Sequence, residues 1–188
     1  MLDQVLWFAT RGAGAVSLLM LTASAAFGLV TVTRFEAAGW PRFFNYEMHR
    51  RVSLLSIAFL ATHVLAAMFD PFTNLGLGAA LIPLASSYRP VPVALGVIAL
   101  YLFVALIATS LLRKRIGVKT WRTIHWASYA MWPLAVLHGI TAGSDAFAPW
   151  MLVIDAACVT AAAIALTWRV LPRGTMTATN GGSRLVAR

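Results

Sequence analysis

The sequence has almost none of the residues that build covalent or metal–sulfur frameworks. Its only cysteine, Cys158, lies within an apolar run. A single cysteine excludes a disulfide framework within the chain, an iron–sulfur site and the C-x-x-C-H motif that attaches a prosthetic group covalently. Any cofactor should therefore be bound without a covalent link to the chain.

Acidic residues are also scarce. Six Asp and Glu stand against fifteen Lys and Arg, and charged residues make up only 11% of the chain. In a soluble protein this excess of positive charge would suggest nucleic acid. Here the basic residues lie between apolar runs, so membrane topology explains them and no nucleic-acid partner is expected.

Long apolar runs dominate what is present. Hydrophobic residues make up 60% of the chain and the mean hydropathy is +0.79. Five runs, near residues 12–33, 46–69, 91–112, 121–142 and 149–170, are long enough to cross a hydrocarbon core, which takes about 20 helical residues. We therefore predict an all-α, multi-pass protein of the cell membrane. Residues 1–170 would form one transmembrane domain, and residues 171–188 a short, disordered cytoplasmic tail.

The basic residues predict the orientation of this bundle, because loops rich in Lys and Arg stay in the cytoplasm. Alternating the five predicted helices across the bilayer leaves Arg11 and Arg89 on one side. It collects thirteen basic residues on the other: Arg34, Arg42, Arg50, Arg51, Arg113, Lys114, Arg115, Lys119, Arg122, Arg169, Arg173, Arg184 and Arg188. The N-terminus should then lie outside and the C-terminus inside, and the second and fourth helices should run parallel.

All four histidines lie on those two parallel helices. His49 and His63 are on the second, and His125 and His138 are on the fourth. At 1.5 Å of rise per residue, each helix places its two histidines about 20 Å apart along its axis. His49 should therefore face His125 near the cytoplasmic surface, and His63 should face His138 near the outer surface. We call these the inner pair and the outer pair.

Helix rotation fits one of the two helices better than the other. At about 100° per residue, the 14 residues from His49 to His63 end about 40° from a whole number of turns, so both side chains share one face of the helix. The 13 residues from His125 to His138 end about 140° from a whole number of turns, so an ideal helix would point these two side chains apart. The fourth helix therefore needs a distortion between its histidines. Pro133 lies there, and proline commonly kinks a membrane helix, so it is a candidate source of the distortion.

Two bis-histidine haem sites explain this constellation best. Ionisable side chains are costly within a membrane and usually serve a function, and an imidazole needs partners for its nitrogens. A structural zinc site would need four ligands at one point rather than two separated pairs. Two further interpretations remain open. The histidines could form hydrogen bonds at helix interfaces, or they could titrate in a haem-free transporter or proton relay.

The histidine spacings, thirteen residues between His49 and His63 and twelve between His125 and His138, resemble those of the ferric reductase-like transmembrane domain. That superfamily includes the NADPH oxidases, the eukaryotic ferric reductases and the membrane haem subunit of bacterial methionine sulfoxide reductase systems. The similarity extends over residues 12 to 170. It implies two non-covalent b-type haems with these four histidines as axial ligands, and electron transfer from a cytosolic donor to an outer acceptor.

The chain departs from that pattern in two ways. Family members commonly have six helices, whereas five are predicted here, and the oxidases carry a fused flavin and nicotinamide domain that the short tail cannot form. Electrons are therefore expected from a separate partner, which could carry the flavin. A quinol-linked cytochrome b subunit is the alternative that shares the haems but takes electrons from the membrane.

Several other residues are predicted to surround the haems. Arg50, Arg51, Lys119 and Arg122 flank the inner pair, where cations could bind haem propionates. Met131 and Trp132 lie midway between His125 and His138 and could bridge the two haems, although core packing is the more ordinary role for such residues. Part of the apolar segment from Asp70 to Pro90 is predicted to lie on the membrane surface or to fold over the outer haem, where Tyr88 and Arg89 could shape an acceptor site; a simple connector is the alternative.

Overall fold

The computed structural model of this chain describes residues 1–33, 41–73 and 75–171. Those residues form eight helices. In chain order they are α1 (Leu2–Val32), α2 (Arg42–Phe69), α3 (Gly76–Leu81), α4 (Pro90–Leu111), α5 (Arg113–Ile116), α6 (Val118–His125), α7 (Ser128–Ala142) and α8 (Pro149–Val170). The predicted tail, apart from Leu171, lies outside the described residues.

Four of these helices, α1, α2, α4 and α8, are long and apolar enough to cross a membrane. The predicted runs at 91–112 and 149–170 agree with α4 and α8 to within one residue. Helix α1 begins about ten residues earlier than predicted, and α2 begins at Arg42 rather than at 46. The chain is therefore an all-helical, multi-pass membrane protein in its described part.

The fourth predicted span, 121–142, is not one continuous helix. Helix α6 ends at His125 and α7 begins at Ser128, with Trp126 and Ala127 in a turn between them. Here the backbone N–H groups of residues 126, 127, 129 and 130 donate to the carbonyl three residues back. That is the pattern of the tighter 3₁₀-helix, which turns about 120° per residue rather than about 100°.

This tight stretch supplies much of the missing rotation between His125 and His138. Four residues wound at about 120° add on the order of 80° to the rotation that an ideal α-helix would give. Pro133, the candidate source, therefore does not lie at the distortion. Pro133 lies inside α7, and the break comes before that helix begins.

Helices α1 and α7 make the contacts that join the long helices. Helix α1 packs on α2, α8 and α7, and α7 also packs on α4. Leu18, Met151 and Cys158 form one core cluster, and Leu21, Phe103 and Met131 form another. Within the described residues, α2 does not pack closely on α6 or α7. The two histidine-bearing parts of the chain therefore face each other across an open space.

The connection between α2 and α4 closes one end of the bundle. It contains the short helix α3, and its last residues attach to the end of α7. The Tyr88 hydroxyl donates to the Ala142 carbonyl at 3.2 Å, and the Arg89 guanidinium donates to the Thr141 carbonyl at 2.8 Å. This end of the bundle lies beside His63 and His138.

Candidate functional site

The structure brings the four histidines together as the two predicted pairs. The ring centroids of His49 and His125 lie 6.2 Å apart with an angle of 76° between the ring planes. His63 and His138 have the same separation and the same angle. Two imidazole nitrogens bonded at about 2.0 Å to one metal ion between them would place the ring centroids roughly 6 Å apart. Both pairs therefore have the spacing of axial ligands.

In three of the histidines, a hydrogen bond to a backbone carbonyl determines which ring nitrogen carries the proton. His49 Nδ1 donates to the Ser24 carbonyl at 2.8 Å, and His63 Nδ1 donates to the Thr10 carbonyl at 2.7 Å. His138 Nδ1 donates to the Pro92 carbonyl at 2.9 Å. A carbonyl oxygen can only accept, so each Nδ1 carries the proton. Nε2 is then the unprotonated nitrogen, which is the form that ligates a metal.

Glycines on the neighbouring helices make room for these three rings. A Cβ atom built on Gly14 would lie 2.9 Å from His63 Nδ1, and one on Gly28 would lie 3.4 Å from His49. A Cβ on Gly96 would lie 2.7 Å from His138. Each glycine follows the accepting carbonyl by four residues, that is, by one helical turn. The neighbouring helix thus provides both the space for the imidazole ring, at the glycine, and the carbonyl oxygen that accepts its N–H.

Sequence reasoning missed these glycines, although a signal for two of them was present. Gly14 and Gly28 are fourteen residues apart, as are His49 and His63. In an antiparallel helix pair, equal spacings bring one glycine opposite each histidine. Gly14 lies beside His63, and Gly28 lies beside His49. The accepting carbonyls have no sequence signal, because every residue has one.

His125 has different surroundings from the other three histidines. Its Nδ1 is buried and has no hydrogen-bond partner among the described residues. The Trp121 ring packs beside it, with 4.9 Å between centroids, and the Arg113 guanidinium lies 4.3 Å from the centroid of Trp121. Trp121 and Arg113 were not among the predicted site residues.

A cavity of about 240 Å³ contains the outer pair. His63 and His138 line it together with Gly14, Gly96 and apolar side chains of α1, α2, α4 and α7. Tyr88, Asp70 and Phe72 also line it, so part of the connecting segment lies at this end of the bundle. Arg11 pairs with Asp145 at the cavity and stacks 3.6 Å over Trp7.

The four basic residues predicted to flank the inner pair are exposed. Arg50 and Arg51 form ion pairs with Glu47 at 3.7 and 2.8 Å, and their side chains are 63% and 70% exposed. Lys119 and Arg122 are exposed on α6. Their role in binding propionates stays a prediction.

The two predicted bridging residues differ in position. Met131 is buried and lines the cavity. The Trp132 indole N–H donates to the Thr22 hydroxyl at 2.9 Å, which ties α7 to α1. Trp132 therefore has a structural hydrogen bond, and a bridging role for either residue stays a prediction.

These surroundings fit a haem better than a bare metal ion. The described residues contain no group of three or more His, Cys, Asp or Glu that could hold a metal. Two axial imidazoles in line suffice only when the remaining ligands come from a macrocycle, as in a bis-histidine haem. The apolar cavity around the outer pair also suits a planar, largely apolar group.

Adding a methyl group at Gly14 should disturb the outer pair, because the new Cβ would lie 2.9 Å from His63 Nδ1. We expect Gly14→Ala to lower the haem bound per chain by up to one equivalent, measured by pyridine haemochrome on purified protein. Gly12→Ala is the matched control, since it lies on the same helix with nothing within 4 Å of its Cβ. Equal haem content in the two variants would contradict this role of Gly14.

Comparison with known proteins is consistent with this geometry. A family model described as ferric reductase like transmembrane component matches residues 12–136. The match contains His49, His63 and His125 and ends two residues before His138. No curated protein and no solved structure gives a significant match. Because the family model covers more than half of the chain, the protein belongs to the ferric reductase-like transmembrane component family.

Proposed function

We propose that this chain is a di-haem b-type cytochrome of the cell membrane that passes electrons from a cytosolic donor protein to an acceptor on the outer side. One observation carries the proposal: two histidine pairs, on facing parts of the chain, have the same ring separation and the same angle. Family membership supports a transmembrane electron-transfer role. The haems, the donor and the acceptor are our inference.

Each haem would supply a one-electron redox centre whose potential depends on its axial ligands and surroundings. The chain's own residues would prepare the ligands for it. The Ser24, Thr10 and Pro92 carbonyls hold three imidazoles in one tautomer and raise their basicity as ligands. The glycines opposite let the rings approach closely enough to make those bonds.

Two histidines on one iron would leave no open coordination position for oxygen or a substrate. The acceptor would therefore react at the exposed edge of the outer site rather than at the metal. Tyr88 and Arg89 lie at that end and are fixed there by the carbonyls of Ala142 and Thr141. They are our candidates for shaping the acceptor site.

The direction of transfer follows from the distribution of charge. Arg113, Lys114 and Arg115 form α5, close to the inner pair in the chain, and Arg50 and Arg51 follow His49 directly. By the positive-inside rule this end would lie in the cytoplasm. A basic surface there would also favour docking of an acidic donor, for which a flavoprotein is our candidate.

A haem-free transporter or proton relay accounts less well for the same residues. In such a protein the imidazoles would gain and lose a proton at Nε2, which the carbonyl bonds at Nδ1 leave free. Proton transfer would not, however, require the two pairs to share one ring separation and one interplanar angle. A quinol-linked cytochrome would share the histidine sites and differ only in its donor.

Substitution of the histidines should separate the two sites. We expect about two haems per wild-type chain by pyridine haemochrome, with the reduced and oxidised spectra of low-spin bis-histidine haem. His63→Ala and His138→Ala should each lose the outer haem and retain the inner one, and His49→Ala and His125→Ala should do the reverse.

The pairing itself is tested by combining substitutions. His63→Ala with His138→Ala should retain one haem, whereas His63→Ala with His125→Ala should retain none. A colourless wild-type protein after haem-supplemented expression would refute the proposal and favour the transporter. Reduction of the haems by quinol, but not by a flavoprotein donor, would favour the quinol-linked cytochrome.

Cysteine labelling should establish the orientation. A membrane-impermeant maleimide added to intact cells should label Ser144→Cys, because the turn between α7 and α8 is exposed and is predicted to lie outside. It should label Lys114→Cys only after the cells are opened. The parent chain is the control, since its one cysteine, Cys158, is 2% exposed. The reverse pattern would invert the proposed direction of transfer.

A further inference from the structure

His125 is held in place differently from the other three histidines. Those three donate Nδ1–H to backbone carbonyls, whereas Nδ1 of His125 is buried without a partner among the described residues. The ring that packs beside it, Trp121, lies on the same helix and moves with it. The direction of the His125 ring must therefore be set by the backbone that carries it, which is the end of α6, directly before the break at Trp126 and Ala127.

The local sequence does not require a break at this point. Trp126 and Ala127 are both compatible with a continuous helix, and alanine is the best helix former. The effect of Pro133 on the backbone extends back only to Tyr129, four residues earlier. A continuous α-helix would turn His125 by on the order of 80° from its present direction. Contacts from elsewhere in the chain must therefore hold the break.

The last turn of α8 supplies such a contact. The Arg169 guanidinium donates to the Tyr129 hydroxyl and lies 5.5 Å from the centroid of that ring. It also lies 5.2 Å from the centroid of the Trp126 ring. The two rings are 5.1 Å apart with an angle of 32° between their planes, so one guanidinium contacts both. Arg169 thus joins the residue directly after His125 to the first turn of α7.

Ala127 is held from another direction. It packs against the buried cluster that contains Leu21 and Phe103. Helix α8, which carries Arg169, is itself packed on α1. The break is therefore fixed by the apolar core at Ala127 and by a cation from a separate helix at its two aromatic residues.

We propose that Arg169 is a positioning residue that holds the break between α6 and α7 and thereby fixes the angle of the His125 ring to the His49 ring on the inner haem. This inference rests on the proposed function. A guanidinium suits the task because it is planar, lies against aromatic rings and donates hydrogen bonds in its own plane. A lysine ammonium would carry the same charge without that geometry.

The angle between the two imidazole planes can be measured by EPR. In a low-spin ferric haem with two axial histidines, nearly perpendicular rings give a signal at a higher g value than nearly parallel rings. The inner pair, at 76°, should give the signal of nearly perpendicular rings. The chain with His63→Ala and His138→Ala should show the inner haem alone, and the chain with His49→Ala and His125→Ala the outer haem alone.

Arg169→Gln should release the break. In the chain that retains the inner haem, we expect the EPR signal to broaden and to move to lower g, because the ring is no longer held near the perpendicular. An excess of a soluble haem-binding protein should remove that haem on the order of tenfold faster, the size typical when the support of a metal ligand is lost. Tyr129→Phe, which removes only the accepting oxygen, should cause the same changes to a smaller extent. Neither variant should affect the chain that retains the outer haem.

Two controls separate positioning from other effects. Arg169→Lys keeps the positive charge that the positive-inside rule alone would place here, but not the planar contact. It should therefore reproduce the change in the EPR signal while the cysteine labelling pattern stays that of the wild type. Thr167→Ala is the matched control on α8, since this hydroxyl bonds to the Ala163 carbonyl of its own helix at 2.7 Å. It should change neither the signal nor the rate of haem loss.

The outcomes separate this inference from the function on which it rests. A change confined to the inner haem in the Arg169 and Tyr129 variants would support it. An inner signal in those variants equal to that of Thr167→Ala, or equal changes at both haems, would overturn the role of Arg169 and leave the proposed function intact. A wild-type chain without haem would refute both. If Arg169→Gln does not fold, Arg169→Lys and Tyr129→Phe decide the question.

Discussion

The hydrogen bond from a histidine Nδ1 to a carbonyl of the neighbouring helix is the constraint on which the rest of the site depends. In the membrane core an imidazole N–H without a partner is costly. A helix carbonyl already accepts one bond from its own helix but has a second lone pair, so it can accept another if the ring comes close enough. Gly14, Gly28 and Gly96 provide that closeness. The result is a fixed tautomer and a fixed ring direction.

This constraint also determines which helices can pack together. Helix α2 must pack closely on α1 to reach the Thr10 and Ser24 carbonyls, and α7 must pack on α4 to reach that of Pro92. Helices α2 and α7 are thus each backed by a glycine-bearing partner, α1 and α4 respectively. The free nitrogens then face each other across an open space. The same bonds that satisfy the buried imidazoles create the gap that a planar cofactor would need.

The sequence predicted the parts of this design that depend on hydrophobic length and on spacing along a helix. Apolar runs located α4 and α8 to within one residue, and the histidine spacings predicted which rings would meet. It did not predict the break at Trp126 and Ala127, because neither residue is a helix breaker and Pro133 was the visible candidate. A proline conflicts with the carbonyl four residues earlier, here that of Tyr129, so its effect does not extend back to Trp126.

The break has a second consequence, for depth as well as rotation. A 3₁₀-helix rises about 2.0 Å per residue, against about 1.5 Å for an α-helix. With four residues in the tighter form, the 13 residues from His125 to His138 span roughly 21 Å, and so do the 14 α-helical residues from His49 to His63. Without the break the first span would be shorter by about 2 Å, and one pair would be out of register. His125 and His138 are one residue closer in sequence than His49 and His63, and the tight turn compensates for this difference. Both pairs can therefore have the same ring separation and the same interplanar angle.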